Sequence, residues 1–267
     1  LGRLSNFHPF VISCWGSDVY DFPKKSIPHQ FILERNLLKA DIIFSTSNSM
    51  AKEINKFTDK KIEVTPFGIN LKEFAPKSVQ SVFQENDIVV GIIKSMEKEY
   101  GIDYLIRSFA LLKNKYDSLP LKLLIVGGGS LTDDLKCLAN EVGISNITFF
   151  AGKVPQEKVS DYHNMLDVFV SLSNSESFGV SALEASACAR PVVVSDTVGY
   201  SETVLDKITG LIVPKKNPQE AANAIEKIIT DKVYAKKLGE NGRKHVEKLY
   251  DWNKNLDEII MLYKQLR

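Results

Sequence analysis

Short apolar runs rich in β-branched residues recur along the chain, and a stretch of helical periodicity separates each from the next. The runs Phe10–Cys14, Asp41–Thr46, Lys61–Pro66, Ile88–Ile93, Leu121–Gly127, Ile147–Ala151, Val168–Leu172, Pro191–Asp196 and Gly210–Val213 are nearly continuous rather than alternating. Such runs suit parallel strands covered on both faces. The intervening segments Gln30–Lys39, Ser49–Phe57, Gly101–Lys115, Leu131–Val142, Gln156–Asn164, Gly179–Ala189 and Pro218–Thr230 read as helices. Strand–helix alternation of this kind predicts an α/β protein with doubly wound parallel sheets.

One stretch breaks the rhythm. Ile69–Asp87 is polar and weakly periodic, and it follows the turn-like TPFG, so it reads as a linker. The expected organisation is a partial N-terminal domain over 1–75, with only three strands, and a complete domain over 76–240. C-terminal helices over 241–267, with Trp252, Leu256, Ile259, Ile260 and Tyr263 on one face, would pack back on the N-terminal domain.

The chain has 267 residues and a net charge of +1, so it lacks the basic excess that nucleic acid as a partner would demand. No apolar run reaches the roughly 18–20 residues needed to cross a bilayer. Cys14, Cys137 and Cys188 are far apart and odd in number, without a C-x-x-C pair or a Cys/His cluster. A disulfide framework and a zinc site are not expected; three buried thiols in a reducing compartment are. His8, His29, His163 and His245 have no motif neighbours.

Two stretches carry candidate chemistry. In LKLLIVGGGSLTDDLKCLA an apolar run ends in Gly127, Gly128 and Gly129, and a helix follows. Glycines there let backbone approach a phosphate at a helix N-terminus, although a ligand-free tight turn is equally consistent with them. A nicotinamide site would also need an acid at the end of the next strand to hold a ribose. That strand ends Phe149-Phe150-Ala151-Gly152, without one.

The second stretch is SNSESFGVSALEASACARPVV, Ser173–Val193, where Glu176 and Glu184 stand in almost uncharged surroundings. Small residues Gly179, Ser181 and Ala182 suit a helix whose first turn lies against a ligand. Eight residues at helical rise span about 12 Å, comparable with a sugar diphosphate. One carboxylate could then hold sugar hydroxyls and the other a ribose, with the helix N-terminus facing the diphosphate. On spacing alone, Glu176 as a helix cap and Glu184 in a surface ion pair fit as well.

The run SNSESFGVSALEASACARPVVVSDTVGYSETVLDKITGLIVP resembles the donor-site signature of glycosyltransferase family 4, retaining enzymes of the GT-B fold. LLIVGGG, ITFFAGKVPQEKVSDYHNMLDVFVSLS, ADIIFSTSNSM, VTPFGINLKEF and CWGSDVY resemble further family segments in family order, so most of residues 11–215 is covered. The resemblance implies two Rossmann-like domains facing a cleft, the N-terminal one incomplete here. It implies that Glu176 contacts the donor sugar and Glu184 the donor ribose, with Phe178, Gly179 and Val180 presenting backbone to the diphosphate or sugar. Gly128 and Gly129 would lie against the donor, Gly152, Val154 and Pro155 would form the base pocket, and Glu202 would belong to the next donor loop.

Tyr200 and Ala189 stand where the family commonly has glycine; both changes are tolerable, though Tyr200 could crowd the sugar side. Lys94 fits a position usually held by Arg, and Lys98 or Glu99 the following Lys; both lysines would neutralise the leaving diphosphate. Three of the surrounding charges could be simple solvated loop residues. In CWGSDVY, Gly16 would allow close approach in the cleft, and Asp18 would bind acceptor hydroxyls or hold the loop; that Trp15 packs and Asp18 caps a turn fits as well.

The implied activity is metal-independent transfer of a hexose from a UDP- or GDP-sugar to a glycan or lipid-linked acceptor, without a cofactor. Bacterial surface-polysaccharide assembly in the cytoplasm, with peripheral membrane contact, is the expected setting. A non-catalytic nucleotide-sugar-binding module or an inactive fragment is the competing expectation.

Overall fold

The computed structural model describes residues 2–266, which fall into two compact units. The first comprises residues up to Gly68 together with the segment from Tyr250 onward, and the second is Ile69–Leu249.

In the first unit, the short helix α1 (Gly2–Ser5) precedes strand β1 (Val11–Cys14), α2 (Ser17–Tyr20) and α3 (Ile27–Lys39). Strand β2 (Ile42–Ser45), α4 (Asn48–Ile54) and β3 (Ile62–Val64) follow. The three strands form a parallel sheet in sequence order, with Val11 opposite Ile42 and Ile43 opposite Ile62. Its core gathers Cys14, Val19, Leu33, Leu37, Ile43, Met50 and Ile54. Helix α3 starts three residues earlier than its periodicity predicts. Pro28 sits in the first turn, where a missing N–H costs nothing, behind an extended Ser26.

The second unit begins with strand β4 (Ile88–Ile93), α5 (Ile102–Lys115), β5 (Leu121–Val126), α6 (Thr132–Glu141) and β6 (Thr148–Gly152). After them come α7 (Gln156–Asn164), β7 (Val168–Ser171), α8 (Val180–Ala187), β8 (Val192–Ser195), α9 (Tyr200–Thr203), β9 (Gly210–Val213), α10 (Pro218–Thr230) and α11 (Lys232–Leu249). The six strands are parallel, in the order β6-β5-β4-β7-β8-β9. Strands β4, β5, β7 and β8 are almost wholly buried, as their unbroken apolar sequences require. The strand order reverses between β4 and β7. In open α/β sheets, ligands bind outside the carboxyl ends of the strands at such a switch point.

The first unit ends at Gly68 rather than near residue 75, because the expected linker docks on the second unit. Lys77 Nζ pairs with Asp161 at 2.6 Å, and the Asn164 side chain both donates to the Ala75 carbonyl and accepts from the Lys77 amide. Arg243 Nη1 donates to the Phe74 and Ala187 carbonyls at 2.6 and 2.7 Å.

Helix α11 belongs to the second unit, not to the C-terminal helices expected from residue 241. It runs along α8, where Gly239 admits the Ala189 carbonyl so closely that a Cβ would overlap it. The last helix, α12 (Trp252–Lys264), packs in the first unit: Asn255 donates to the Pro66 carbonyl, and the Tyr263 ring meets Phe44 edge-on at 5.7 Å.

Two of the three cysteines, Cys14 and Cys188, are buried, and burial pushes both thiols up to about 12. Cys137 is exposed, contrary to expectation: α6 buries Leu135 and Ala139, and the intervening position faces away. Among the described residues, no helix is long and apolar enough to cross a membrane.

Candidate functional site

The segments following five strands of the second sheet, β4 to β8, supply the candidate residues of this unit. Lys94 follows β4 and Glu176 lies in the loop after β7, so the two flank the switch point. Lys94 Nζ meets Glu176 Oε2 at 2.7 Å, with side chains only 15% and 9% exposed. The same ammonium stands 4.4 Å from the centroid of the Tyr100 ring, a cation–π contact. Burial, then the charges of Glu176, Glu99 and Glu97, raise the Tyr100 phenol and keep it protonated. Lys94 is therefore not a solvated loop residue. Lys98 is exposed, and its carbonyl accepts from Asn174 Nδ2 at 3.0 Å, tying the β4 loop to the β7 loop.

Glu176 does not cap α8. The N-cap is Gly179, at φ 93°, without a side-chain cap. A side chain at Gly179 would be strained by that φ and would meet Tyr200 Cε1 at 2.5 Å. Phe178 is buried, and its carbonyl accepts from Thr203 Oγ1 at 3.3 Å, while Val180 is about one-third exposed. Helix α8 is apolar or small at every position except Glu184, and nearly all of it is buried. Its uncapped N-terminus therefore presents partial positive charge beside the switch point.

The N-terminus of α6 differs. There the Glu97 carboxylate accepts from the Ser130 amide at 3.0 Å and from its hydroxyl. These bonds hold the Glu97 pKa below its usual value. The amide after the glycine turn of Gly128 and Gly129 already has an anion, and it belongs to the protein itself. Gly127 donates to the Gly152 carbonyl at 2.8 Å, joining this turn to the one that holds Gly152, Val154 and Pro155.

Tyr200 is accommodated. It stands where a glycine is common, yet its ring is 1% exposed, beneath Gly179, and does not crowd the site. Its hydroxyl donates to Ser171 Oγ at 2.7 Å and lies 3.4 Å from Glu176 Oε2. Ser171 in turn contacts Ser173 Oγ at 3.3 Å, and Ser195 donates to the Ser173 carbonyl at 2.6 Å. Burial raises the Tyr200 phenol, so it stays a neutral donor. Its neighbour Gly199 donates to the Glu176 carbonyl at 3.0 Å, which fixes the loop bearing the carboxylate.

Glu184 does not make a surface ion pair. Its Oε2 stands 3.3 Å from Nε2 of His163, a fully buried residue on α7. It is the fifth residue of α8, little more than one turn in, and Glu176 precedes the helix altogether. The helical rise therefore does not set the separation of the two carboxylates. Glu202 lies on α9, and its carbonyl meets His245 Nε2 at 3.4 Å. His163 and the anchoring role of Tyr200 were missed in the sequence. Both act across more than twenty residues of chain, and the one available signal is an uncharged helix keeping a single glutamate.

In the first unit, the Asp18 carboxylate accepts from the amides of Trp15 at 3.2 Å and Gly16 at 2.7 Å, so it holds the loop after β1. Trp15, exposed, packs edge-on against Phe67 at 5.5 Å. With Thr65, Trp252, Leu256 and Tyr263 they line an apolar cavity of about 440 Å³ at the ends of β1–β3. Among the described residues, no group of three or more His, Cys, Asp or Glu side chains is placed to hold a metal ion.

Known proteins share both sequence and architecture with this chain. The model of the family described as glycosyl transferases group 1 matches residues 74–245, and one described as glycosyl transferase 4-like matches residues 1–47. A D-inositol 3-phosphate glycosyltransferase of Corynebacterium urealyticum is 27% identical over 243 residues, covering 85% of this chain and 57% of that one. An uncharacterized glycosyltransferase of Methanocaldococcus jannaschii is 29% identical over 181 residues, 68% of this chain and 46% of that one. The chain thus spans about half the length of the curated relatives it matches.

Among solved structures, sucrose-phosphate synthase of Thermosynechococcus elongatus superposes with a TM-score of 0.86 at 26% identity, covering 97% of this chain and 68% of that one. The Anabaena HepE protein, solved with UDP and glucose, superposes at 0.84 with 17% identity, covering 99% and 74%. These neighbours have the GT-B architecture that the sequence predicts. With the family model spanning well over half of its length, this chain belongs to the group 1 glycosyl transferases.

Proposed function

We propose that the second unit binds a nucleoside-diphosphate sugar and that the protein transfers its hexose, with retention, to an acceptor hydroxyl. The observation that carries this reading is the pairing of Lys94 with Glu176 across the switch point, beside the uncapped N-terminus of α8. In such a transfer, negative charge grows on the departing diphosphate and positive charge on the sugar ring. An ammonium has three N–H donors, so Lys94 can keep Glu176 and still donate to phosphate oxygens. The α8 amides add fixed partial charge that needs no reorganisation. Glu176, held by Lys94 with the Tyr200 hydroxyl nearby, would orient sugar hydroxyls and offset the ring charge. Glu184 would hold the ribose.

Lys98, on the rim of the same loop, would assist at the phosphate. The Gly128–Gly129 turn, the Gly152–Pro155 segment and Glu202 would line the donor. The charge supplied by Lys94 and α8 supports a reaction that needs neither a metal nor a cofactor. UDP and GDP are the bases to try, the first because HepE was solved with UDP.

The acceptor would be a glycan or lipid-linked glycan of the surface-polysaccharide kind, in the cytoplasm and against the membrane when lipid-linked. Gly16 and Asp18 would then lie on its side. The name of the inositol phosphate relative supports a small phosphorylated polyol as the competing acceptor class.

A thermal-shift screen of nucleoside diphosphates, with and without Mg²⁺, tests the donor reading. A saturable rise in Tm with UDP or GDP, equal in both conditions, is expected. No shift with any nucleotide would remove it.

A further inference from the structure

His163 is the one fully buried histidine among the described residues, and the donor reading does not use it. It lies on α7 and faces α8, where its Nε2 stands 3.3 Å from Glu184 Oε2. Its ring is packed by Phe74, edge-on at 6.0 Å, and by Phe169 at 5.6 Å. Its other nitrogen, Nδ1, is buried with no hydrogen-bond partner.

This one-sided environment selects the tautomer. A buried N–H without an acceptor costs more than a bare lone pair against aromatic carbon, so the proton belongs on Nε2. The ring then donates through Nε2–H to the one acceptor within reach, Glu184. The carboxylate in turn is 13% exposed, in a helix with no other charged residue. A flexible glutamate in such a place has several rotamers open to it. A donor fixed on the neighbouring helix removes most of them, and one carboxylate oxygen is left for a ligand.

We infer that His163 is a positioning residue: through Nε2–H it fixes Glu184 for the ribose hydroxyls of the donor nucleotide. The inference rests on the donor reading given above. It adds that ribose recognition is built on two helices, α7 and α8, rather than on Glu184 alone. His163 touches no substrate, and its effect passes entirely through the carboxylate.

The test compares UDP and GDP with their 2′,3′-dideoxy forms by calorimetric titration of the full chain. The native protein should prefer the ribonucleotide by about tenfold or more, the value of hydrogen bonds to a charged group. His163→Phe keeps the aromatic packing and removes the donor. It should narrow the preference to within about threefold, chiefly by weakening ribonucleotide binding, with dideoxy binding little changed. His163→Gln places an amide N–H near the Nε2 position and should restore most of the preference. If the Phe variant does not fold, His163→Met removes the donor with a more adaptable side chain.

A donor-less variant that folds and keeps the native ribose preference would overturn the inference and leave the donor reading standing. So would native binding with no ribose preference. Binding of neither nucleotide by the folded native chain would remove the donor reading, and this inference with it.

Discussion

The two parallel sheets of this protein end differently at their carboxyl edges. In the second unit, the loops after β4 and β7 carry Lys94, Glu97 and Glu176, and α8 carries Glu184; each is paired with a named partner. In the first unit, the loops after β1 and β3 carry Trp15 and Phe67, and α12 adds Trp252 and Tyr263 around an apolar cavity. The charged residue there, Asp18, is occupied by two backbone amides. Strand direction makes both edges available to ligands, but the loops decide the chemistry. One edge is built to hold charge in fixed positions, and the other offers aromatic surface.

If that contrast is functional, substitutions at the two edges should separate. The largest effect is expected at Glu176. Glu176→Gln preserves shape and hydrogen bonding to Lys94, so the fold should survive. Release of nucleoside diphosphate from the donor sugar should fall by about 100-fold or more, the scale of losing a preorganised charge at a transition state. Near-native release would erase the distinction between the edges.

Lys94→Ala comes next and acts twice. It strips the buried Glu176 carboxylate of its partner, which should cost about 3–5 kcal/mol of stability in denaturant unfolding. It should also weaken nucleoside diphosphate binding by about tenfold, measured by titration. A loss of stability without a loss of affinity would make the pair structural only.

A smaller effect is expected at Tyr200, which supports the charged edge from below. Tyr200→Phe keeps the buried ring and deletes the hydroxyl bonded to Ser171 and near Glu176. About 1 kcal/mol of stability should be lost, with a fall in turnover rate larger than any change in nucleotide affinity. Equal falls in both would place Tyr200 in binding rather than in holding Glu176. The smallest effect is expected across the comparison: Trp252→Ala, at the aromatic edge, should leave nucleoside diphosphate affinity within about twofold of native. A tenfold loss would show that the donor engages the first unit as well.

The sheets were legible in the sequence because buried parallel strands are written as unbroken apolar runs. All nine strands appear within two residues of their expected ends, from Val11–Cys14 to Gly210–Val213. Helix α11 was harder to see. Gly239 and Gly242 look like breakers in a polar segment, whereas their lack of side chains is what lets the helix approach α8. At the site, the two glutamates and Lys94 stand out locally, one by an uncharged context and the other by a strand end. His163 and Tyr200 do not, because their value lies in contacts between elements distant in sequence. Tyr200 is tolerable in a glycine's place because its ring fits beneath Gly179, a contact the sequence does not display.

The central claim is that donor nucleotide binds at the carboxyl edge of the second sheet. Amide hydrogen exchange with saturating UDP, and separately GDP, tests it residue by residue. The account predicts slowed exchange in the segments 94–100 and 174–184, with segments 13–16 and 65–68 unchanged. Protection confined to the first unit, or no protection with either nucleotide, would contradict it.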